Sequence, residues 1–310
     1  MPRARKPPLP PALVLTVGVL AVSSAAIFIR YAQRDAPSLV IAAWRLTLAA
    51  LLLTPWAFAR HRAEIRALRR RDLLLALASG AFLAVHFATW ITSLAYTTVA
   101  SSVVLVTTTP IWVGLLAPVV LREPLTRPVA VGMGLTLLGG TLIALGDTCT
   151  VTWSGVACPP WQAFLGQAAL WGDFLALLGA WAAAGYLLIG RHLRAHTSLT
   201  VYITLTYGMA AVVLAGLMLA WGYPPFGYPP RTYLLFLALA LIPQLVGHSS
   251  FNWALGYLSA AFVTVTLLGE PVGSTLLAYL FLHEVPTVVS LFGAILILSG
   301  IAVAARGDVL

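Results

Sequence analysis

The chain has 310 residues, 60% of them hydrophobic and only 9% charged, and its formal net charge is +9. An ordinary soluble domain carries about 25% charged residues, so this composition excludes a water-soluble globular protein. The basic residues stand in short stretches between apolar runs rather than on one basic face, which argues against nucleic-acid binding. We therefore expect membrane lipid around the chain and no nucleic-acid partner.

Ten apolar runs are each close to the roughly 20 residues that a transmembrane helix requires. In chain order they cover residues 12–29, 39–59, 73–95, 99–121, 129–145, 169–189, 199–221, 233–255, 260–282 and 285–305. The longest connection, residues 146–168, is about as long as one helix and leaves no room for an appended soluble domain. The sequence predicts an all-α integral membrane protein with ten transmembrane helices.

The basic residues predict how these helices are oriented. With the amino terminus in the cytoplasm, fourteen of the eighteen Lys and Arg residues fall on the cytoplasmic side, as the positive-inside rule requires. We expect a multi-pass protein of the cell's inner (plasma) membrane with both termini in the cytoplasm. The first run follows Arg3, Arg5 and Lys6 and is similar to a secretory signal peptide, but it has a counterpart in the second half and is expected to stay uncleaved.

The two cysteines, Cys149 and Cys158, both fall in the longest loop, which this orientation places outside the cytoplasm. An oxidising compartment favours a disulfide between them. The alternative is two free thiols. We predict the disulfide, because the charge pattern and the cysteine positions indicate an outer loop independently.

The chain contains an internal repeat at an offset of 161 residues. Pro110, Glu123, Thr126, Gly132 and Gly139 fall on Pro271, Glu284, Thr287, Gly293 and Gly300, and Arg30 falls on Arg191. The predicted domains are a first five-helix repeat over residues 1–149, an extracytoplasmic loop over 150–168 and a second five-helix repeat over 169–310. Because five is odd, the second repeat enters the membrane from the opposite side. Such inverted repeats are typical of secondary transporters.

The repeated motifs resemble those of the drug/metabolite transporter superfamily, specifically its EamA-type members with two five-helix domains. The similar segments run from Thr109-Pro110 through Arg122-Glu123-Pro124 to Gly139 and from Glu270-Pro271 through His283-Glu284 to Gly300, with Trp44-Arg45 and Gly172-Asp173 in addition. The resemblance implies a ten-helix fold with inverted halves, a central substrate cavity and no ATP-binding domain. It also implies, in many members, export of amino acids or other metabolites.

Ionisable groups near the centre of a membrane span cost about 2.5–3.5 kcal/mol or more, so each requires an explanation. Glu270 stands mid-span, whereas its repeat partner Thr109 is neutral. Glu270 is either a substrate-binding carboxylate that couples transport to protons or cations, or a buried acid that only joins helices. Arg45 lies about six residues into its span, where it either faces the cavity or extends its guanidinium to the membrane surface.

Pro110 and Pro271 are candidate hinges or gates. Neither can donate a hydrogen bond to the carbonyl four residues earlier, and a proline ring bends its helix. The freed carbonyls of Val106 and Leu267 become available to a substrate or to a hinge. The alternative is a fixed bend that only shapes packing.

Two sets of polar and aromatic residues are predicted to bind the substrate. Gln244, His248 and Asn252 are spaced by four, which places them on one face of an α-helix. His86 and Trp90 share a face of another helix, and the repeat offset places His86 at the depth of His248. Aromatic rings offer a metabolite a stacking surface and offer an amine a cation-binding face. For each histidine the alternative is a hydrogen-bonded contact between helices.

Other polar and small residues have structural interpretations. Asp173 is expected to favour the positive amino end of its helix. Glu123 and Glu284, at helix ends, are expected to be capping or gate contacts. Close helix packing, within the bundle or across a homodimer, is expected at the repeated glycines Gly132, Gly139, Gly293 and Gly300.

Residues required by other functions are missing. The single lysine, Lys6, lies in the basic tail, which excludes a GxxxxGK phosphate-binding loop. No HExxH motif and no cluster with metal-ligand spacing occurs, so we expect no metal, no cofactor and no catalytic residues. The predicted function is a secondary transporter that exports a small organic metabolite, such as an amino acid, by alternating access. The alternatives are an intramembrane enzyme acting on lipid-linked substrates and a non-transporting membrane sensor.

Overall fold

The computed structural model describes residues 7–97, 99–148, 150–152, 155–158, 167–282 and 285–307. In the first half the helices are α1 (Pro11–Ser23), α2 (Ala25–Ala32), α3 (Ser38–Arg60), α4 (Arg62–Ala67), α5 (Arg70–Ser93), α6 (Val99–Val106), α7 (Thr109–Val120) and α8 (Arg127–Thr148). In the second half they are α9 (Gln167–Arg194), α10 (Leu199–Ala220), α11 (Pro230–Leu239), α12 (Ser249–Ala254), α13 (Ala260–Leu267), α14 (Glu270–Leu282) and α15 (Val288–Ala305). A π-helical segment, Ala240–His248, joins α11 to α12.

Eight helices of the described chain are long and apolar enough to cross a membrane. They are Pro11–Ala32, Ser38–Arg60, Arg70–Ser93, Gln167–Arg194, Leu199–Ala220, Pro230–Ala254, Ala260–Leu277 and Val288–Ala305. Two shorter apolar helices, Val104–Val120 and Arg127–Ile143, lie between them in the chain. The prediction of a helical, multi-pass membrane protein is confirmed, and the count of ten crossings stays a prediction.

Two local elements depart from the predicted all-α chain with simple loops. Strands β1 (Thr150–Thr152) and β2 (Gly155–Ala157) pair antiparallel, with Val151 opposite Val156, inside the predicted outer loop. Their Thr and Val residues favour extended backbone. The short helix α4 occupies the arginine-rich connection between α3 and α5.

The helix breaks fall at equivalent places in the two halves. Residues 107–108 separate α6 from α7, and residues 268–269 separate α13 from α14, which is the same offset of 161. Pro110 and Pro271 are each the second residue after their break, where the missing N–H costs nothing. The Val106 carbonyl accepts a hydrogen bond from the Thr109 hydroxyl at 2.8 Å.

The glycines show that each half packs on the other in an equivalent way. Gly18 in α1 faces Ser250 of the second half, whose Cβ would lie 2.9 Å from a Cβ at residue 18. Gly179 in α9 faces Thr89 of the first half, whose Oγ1 would lie 3.2 Å from a Cβ at residue 179. Ser250 is the repeat counterpart of Thr89, and Gly179 is the repeat counterpart of Gly18, both at the offset of 161 residues. The two contacts are therefore related by exchange of the halves.

Helices α8 and α15 repeat this exchange along their common interface. A Cβ added at Gly139 would lie 2.5 Å from the Gly293 carbonyl oxygen, and a Cβ added at Gly293 would lie 2.6 Å from the Gly139 carbonyl oxygen. Gly132 and Gly300 face each other in the same reciprocal way. Since the lower-numbered glycine of one helix meets the higher-numbered one of the other, the two helices run antiparallel. The glycine packing predicted within the bundle is therefore what the structure contains.

Contacts between loops define two ends of the bundle. The Glu64 carboxylate accepts a hydrogen bond from the Ser198 amide at 2.7 Å, and the Thr126 hydroxyl donates one to the Gly307 carbonyl at 3.3 Å. We call this end, with residues 60–72, 122–127, 191–198 and 306–307, the basic face. At the opposite face Arg231 forms a bidentate ion pair with Asp35 at 2.8 and 3.0 Å. Most of the described arginines are thus at one end of the bundle, as expected from their positions in the sequence.

Candidate functional site

A cavity of about 110 Å³ lies between the two halves of the molecule. Its walls include Arg45, His86, Phe87, Trp90, Thr109 and Pro110 from the first half and Tyr186, His248, Phe251 and Glu270 from the second. Both helix breaks open onto it, because Val106 and Thr107 line it from one break and Leu267 and Leu268 from the other. An apolar cavity of roughly 150 Å³ is known to hold benzene, so this space suits a small organic molecule.

Arg45 is buried in this cavity wall with only 1% of its surface exposed. Its Nε donates a hydrogen bond to Gln244 Oε1 at 2.9 Å, and its Cζ lies 4.4 Å from the centre of the Phe87 ring. Its Nη2 has no hydrogen-bond partner, and no acid lies within ion-pair distance among the residues described. The structure therefore places Arg45 at the cavity and not at the membrane surface.

Glu270 is the first residue of α14 and lines the same cavity. Its backbone carbonyl accepts a hydrogen bond from the Ser23 hydroxyl at 3.0 Å, which ties this helix start to α1. Its carboxylate makes no hydrogen bond within the described part of the chain. Arg45 and Glu270 thus bring a guanidinium and a carboxyl group to one cavity without forming an ion pair with each other.

The Phe87 ring connects the two histidines along the cavity wall, and Trp90 stacks on one of them. His86 stacks on Trp90 with ring centres 5.9 Å apart and an interplanar angle of 11°. Phe87 lies between the histidines, 5.0 Å from His86 and 5.4 Å from His248. His86 Nδ1 is 2.9 Å from the Gly179 carbonyl, which can only accept, so Nδ1 carries the proton and Nε2 of the neutral ring is an acceptor. Trp90 Nε1 has no partner among the described residues.

The predicted stripe of Gln244, His248 and Asn252 is divided. Only His248 lines the cavity, whereas Gln244 lies behind Arg45 and holds its guanidinium. The Asn252 amide donates to the hydroxyls of Tyr186 and Tyr207 at 2.5 and 3.1 Å. The π-helical segment explains the division, because its wider turn changes which residues spaced by four share a face.

Pro110 also lines the cavity, but Pro271 does not. Each proline follows a helix break, so the local geometry fits a hinge in both halves. The hinge role itself stays a prediction.

Four helix ends meet at the basic face through one ion pair. Arg191 Nε donates to Glu123 Oε1 at 2.5 Å, and its Nη1 donates to the Leu255 carbonyl at 2.8 Å. Glu123 Oε2 accepts from the Ala260 amide at 3.2 Å. We call these four residues the basic-face latch. Glu123 was predicted to be a capping or gate contact, and here it joins the first half to two residues of the second half.

The remaining predicted residues lie away from the cavity or outside the described chain. Asp173 accepts a hydrogen bond from the Thr97 hydroxyl at 2.6 Å, which joins α9 to the turn after α5. Cys149 and Glu284 lie outside the described residues, so the disulfide between Cys149 and Cys158 stays a prediction. Among the described residues, no three His, Cys, Asp or Glu side chains lie close enough together to hold a metal ion.

Phe87 and Tyr186 line the cavity but were not predicted from the sequence. Phe87 was detectable, because it is three residues before Trp90 and so one helical turn from it. Tyr186 had no such signal. It faces the cavity only because α9 packs against α5 and α12, an arrangement that spacing along one helix does not encode.

Comparison with known proteins adds three findings. The model of the EamA-like transporter family matches residues 9–145 and again residues 170–306. An "Uncharacterized transporter" of Archaeoglobus fulgidus is 24% identical over 294 residues, which cover 93% of this chain and 95% of the relative. A chain of known crystal structure, 18% identical, superposes with a TM-score of 0.75 over 96% of this chain and 97% of its own length, and this likeness shows the fold alone.

Proposed function

The chain belongs to the EamA-like transporter family, and from this premise we propose that this membrane transporter carries a small organic solute with a carboxylate group, such as an amino acid, by alternating access. The observation that carries the proposal is the cavity between the halves, where the Arg45 guanidinium and the Glu270 carboxyl group have no ion-pair partner among the described residues. We further propose ten crossings in two inverted repeats, in the inner membrane, with both termini in the cytoplasm.

The polar atoms at the cavity support this class of solute. A buried guanidinium N–H without a partner is costly, and a carboxylate is the group that best satisfies it. Glu270 supplies a negative charge for an ammonium group in the same space, and the His86–Trp90 stack supplies an aromatic face for a side chain. A zwitterion uses all three features at once. A simple amine would leave Arg45 Nη2 without a partner.

The exchange symmetry of the helix packing supports alternating access. Two halves of opposite orientation around one cavity supply matched arrangements open to either side. The basic-face latch joins the two halves at one end of the bundle. The helix breaks before Pro110 and Pro271 support our proposal that each half has a hinge beside the cavity. Export is the direction that the family resemblance favours, with Glu270 as the group that couples flux to protons.

Purified full-length protein in liposomes tests the proposal. Liposomes loaded with unlabelled solute are expected to accumulate labelled amino acids by counterflow. Amines of similar size that lack a carboxylate are expected to accumulate no more than in liposomes without protein. Equal transport of amino acids and amines would show that Arg45 does not recognise the solute carboxylate. Protein that moved no solute yet chemically altered a lipid would overturn the proposal.

A further inference from the structure

The connection between α3 and α5 carries an unusual concentration of unpaired arginines. Six lie between residues 60 and 71, and all six are exposed: Arg60, Arg62, Arg66, Arg69, Arg70 and Arg71. No acidic side chain among the described residues forms an ion pair with any of them. The positive charge of this surface is therefore not neutralised by the part of the protein that the structure describes.

The two acids of this connection are engaged elsewhere. Glu64 accepts a hydrogen bond from the Ser198 amide and contacts His61 Nδ1 at 3.3 Å. Burial alone would raise the pKa of Glu64, but its hydrogen bonds with Ser198 and His61 outweigh burial and hold the pKa below its ordinary value. Asp72 lies 3.5 Å from His196 Nε2. Both carboxylates thus fasten the connection to the loop before α10 and leave the arginines to the outside.

A second cavity lies between the end of α3 and helix α4. It measures about 220 Å³ and is lined by Phe58, Arg62, Ile65 and Arg66. Arg62 and Arg66 are four residues apart on α4 and so lie on one face of the helix. Phe58 belongs to the last turn of an apolar helix and is 54% exposed, which places the cavity at the membrane boundary. The space thus has a cationic side and an apolar side.

We propose that this cavity binds an anionic phospholipid of the adjacent leaflet, with its phosphate between Arg62 and Arg66 and its acyl chains against Phe58 and Ile65. Guanidinium groups bind phosphate oxygens through paired, charge-assisted hydrogen bonds. Basic pockets beside transmembrane helices recognise lipid headgroups in this way. The apolar wall favours a lipid over a free anion, since inorganic phosphate gains nothing from Phe58 and Ile65.

Nearby side chains fit the same boundary. Trp56 is 55% exposed, and the Arg60 guanidinium lies 5.2 Å above its ring. Exposed tryptophans at helix ends are typical of the interface between acyl chains and headgroups. The position of Trp56 thus supports the proposal that the arginines of the cavity lie at the depth of lipid phosphates.

Native mass spectrometry of the full-length protein tests the proposal by counting bound phosphatidylglycerol after transfer from mixed micelles with phosphatidylcholine. Replacing Arg62→Gln and Arg66→Gln together is expected to weaken phosphatidylglycerol retention about tenfold. The matched control, Arg70→Gln with Arg71→Gln, removes the same charge outside the cavity and is expected to retain the lipid. Equal loss in both double variants would mean that net charge alone attracts the lipid, and would overturn the site.

A second variant and a competitor complete the test. Ile65→Gln keeps every charge and is expected to weaken phosphatidylglycerol retention by removing part of the apolar wall. Inorganic phosphate at equal concentration is expected to displace little lipid, and full displacement would assign the cavity to a free anion instead. Each variant is first checked for a single size-exclusion peak. Because lipid retention is measured without any solute, its failure leaves the proposed transport function untouched.

Discussion

Arg45 is the residue on which solute recognition depends in our proposal. Gln244 and the Phe87 ring fix the position of its guanidinium, and we propose that Nη2, which is buried and has no partner among the described residues, binds the solute carboxylate. Lysine keeps the charge but loses the planar pair of donors. We expect Arg45→Lys to raise the solute concentration for half-maximal flux about tenfold, because a charge-assisted hydrogen bond is lost. Flux into proteoliposomes over a range of solute concentrations measures this change.

Arg34 provides the control for that substitution. Its guanidinium lies over the Tyr31 ring at 4.8 Å, and the side chain does not line the cavity. Arg34→Lys is expected to leave the half-maximal concentration unchanged. If Arg45→Lys behaved in the same way, bidentate recognition would be ruled out.

Glu270 is the residue proposed to couple flux to protons. Its carboxylate is in the cavity, makes no hydrogen bond among the described residues, and has only neutral Thr109 as its counterpart in the other half. Glutamine has the same shape and cannot titrate. We expect Glu270→Gln to abolish the dependence of flux on pH while the amount of protein in the liposomes stays constant.

Asp173→Asn is the matched control for Glu270→Gln. It removes another carboxylate from the membrane region, but one that is bound to Thr97 and does not line the cavity. This variant should retain the pH profile of the unmodified protein. A Glu270→Gln variant with the same profile would show that the carboxylate only joins helices.

The glycine contacts between helices α8 and α15 predict how a substitution at their interface changes the stability of the protein. A Cβ at Gly293 would lie 2.6 Å from the Gly139 carbonyl and 2.8 Å from Ile143 Cγ1. Since neither helix can separate without disturbing the other contacts, we expect Gly293→Ala to destabilise the protein by about 1–3 kcal/mol. A lower thermal transition in detergent would report this loss.

Gly140 lies on α8 but faces away from this interface. A Cβ there would meet no atom of the described residues within 4 Å. Alanine stabilises a helix by about 1 kcal/mol relative to glycine. Gly140→Ala is therefore expected to leave the thermal transition temperature unchanged or to raise it. Equal destabilisation by both substitutions would argue against the reciprocal packing of the two helices.

The segment that carries His248 shows why residue spacing alone did not predict which side chains line the cavity. Spacing by four placed Gln244, His248 and Asn252 together, but this inference requires a regular α-helix. Pro243 removes one backbone donor, and the chain responds with a π-helical segment rather than a simple kink. A proline predicts that the helix is distorted. Whether the distortion is a kink or a π-helical segment depends on neighbouring helices, which a single sequence does not reveal.

For the whole molecule, the internal repeat was the most informative part of the sequence. The offset that aligned Pro110 with Pro271 also aligns the two helix breaks and the glycine contacts between the halves. The pairing of Arg45 with Gln244 could not be predicted in this way, because neither residue has a similar counterpart at that offset. Such contacts arise where the halves differ, and they depend on tertiary packing alone.

The repeat also predicts a second latch at the opposite face. Glu123 and Arg191 of the basic-face latch correspond to Glu284 and Arg30 under exchange of the halves. Glu284 lies outside the described residues, so this pair is an inference from symmetry. In alternating access, one latch closes when the other opens. Each ion pair therefore contributes free energy to only one of the two arrangements.

A cysteine in the cavity can report which face is open. Ala183 lines the cavity and carries no polar group, so Ala183→Cys introduces a thiol with little disturbance. The natural cysteines, Cys149 and Cys158, are replaced by serine in this background. A membrane-impermeant maleimide added to one side of oriented vesicles then labels the thiol only when that face is open.

Removing one member of each latch should move this labelling in opposite directions. Arg191→Gln is expected to increase labelling from the basic face severalfold, because the closed arrangement loses an ion pair and the hydrogen bond to the Leu255 carbonyl. Arg30→Gln is expected to increase labelling from the opposite face instead. Arg34→Gln removes the same charge near Arg30 without a predicted latch partner and should change neither rate. If Arg191→Gln and Arg30→Gln both increased labelling from the same face, the two ion pairs would not alternate, and the inverted symmetry would have no part in the transport cycle.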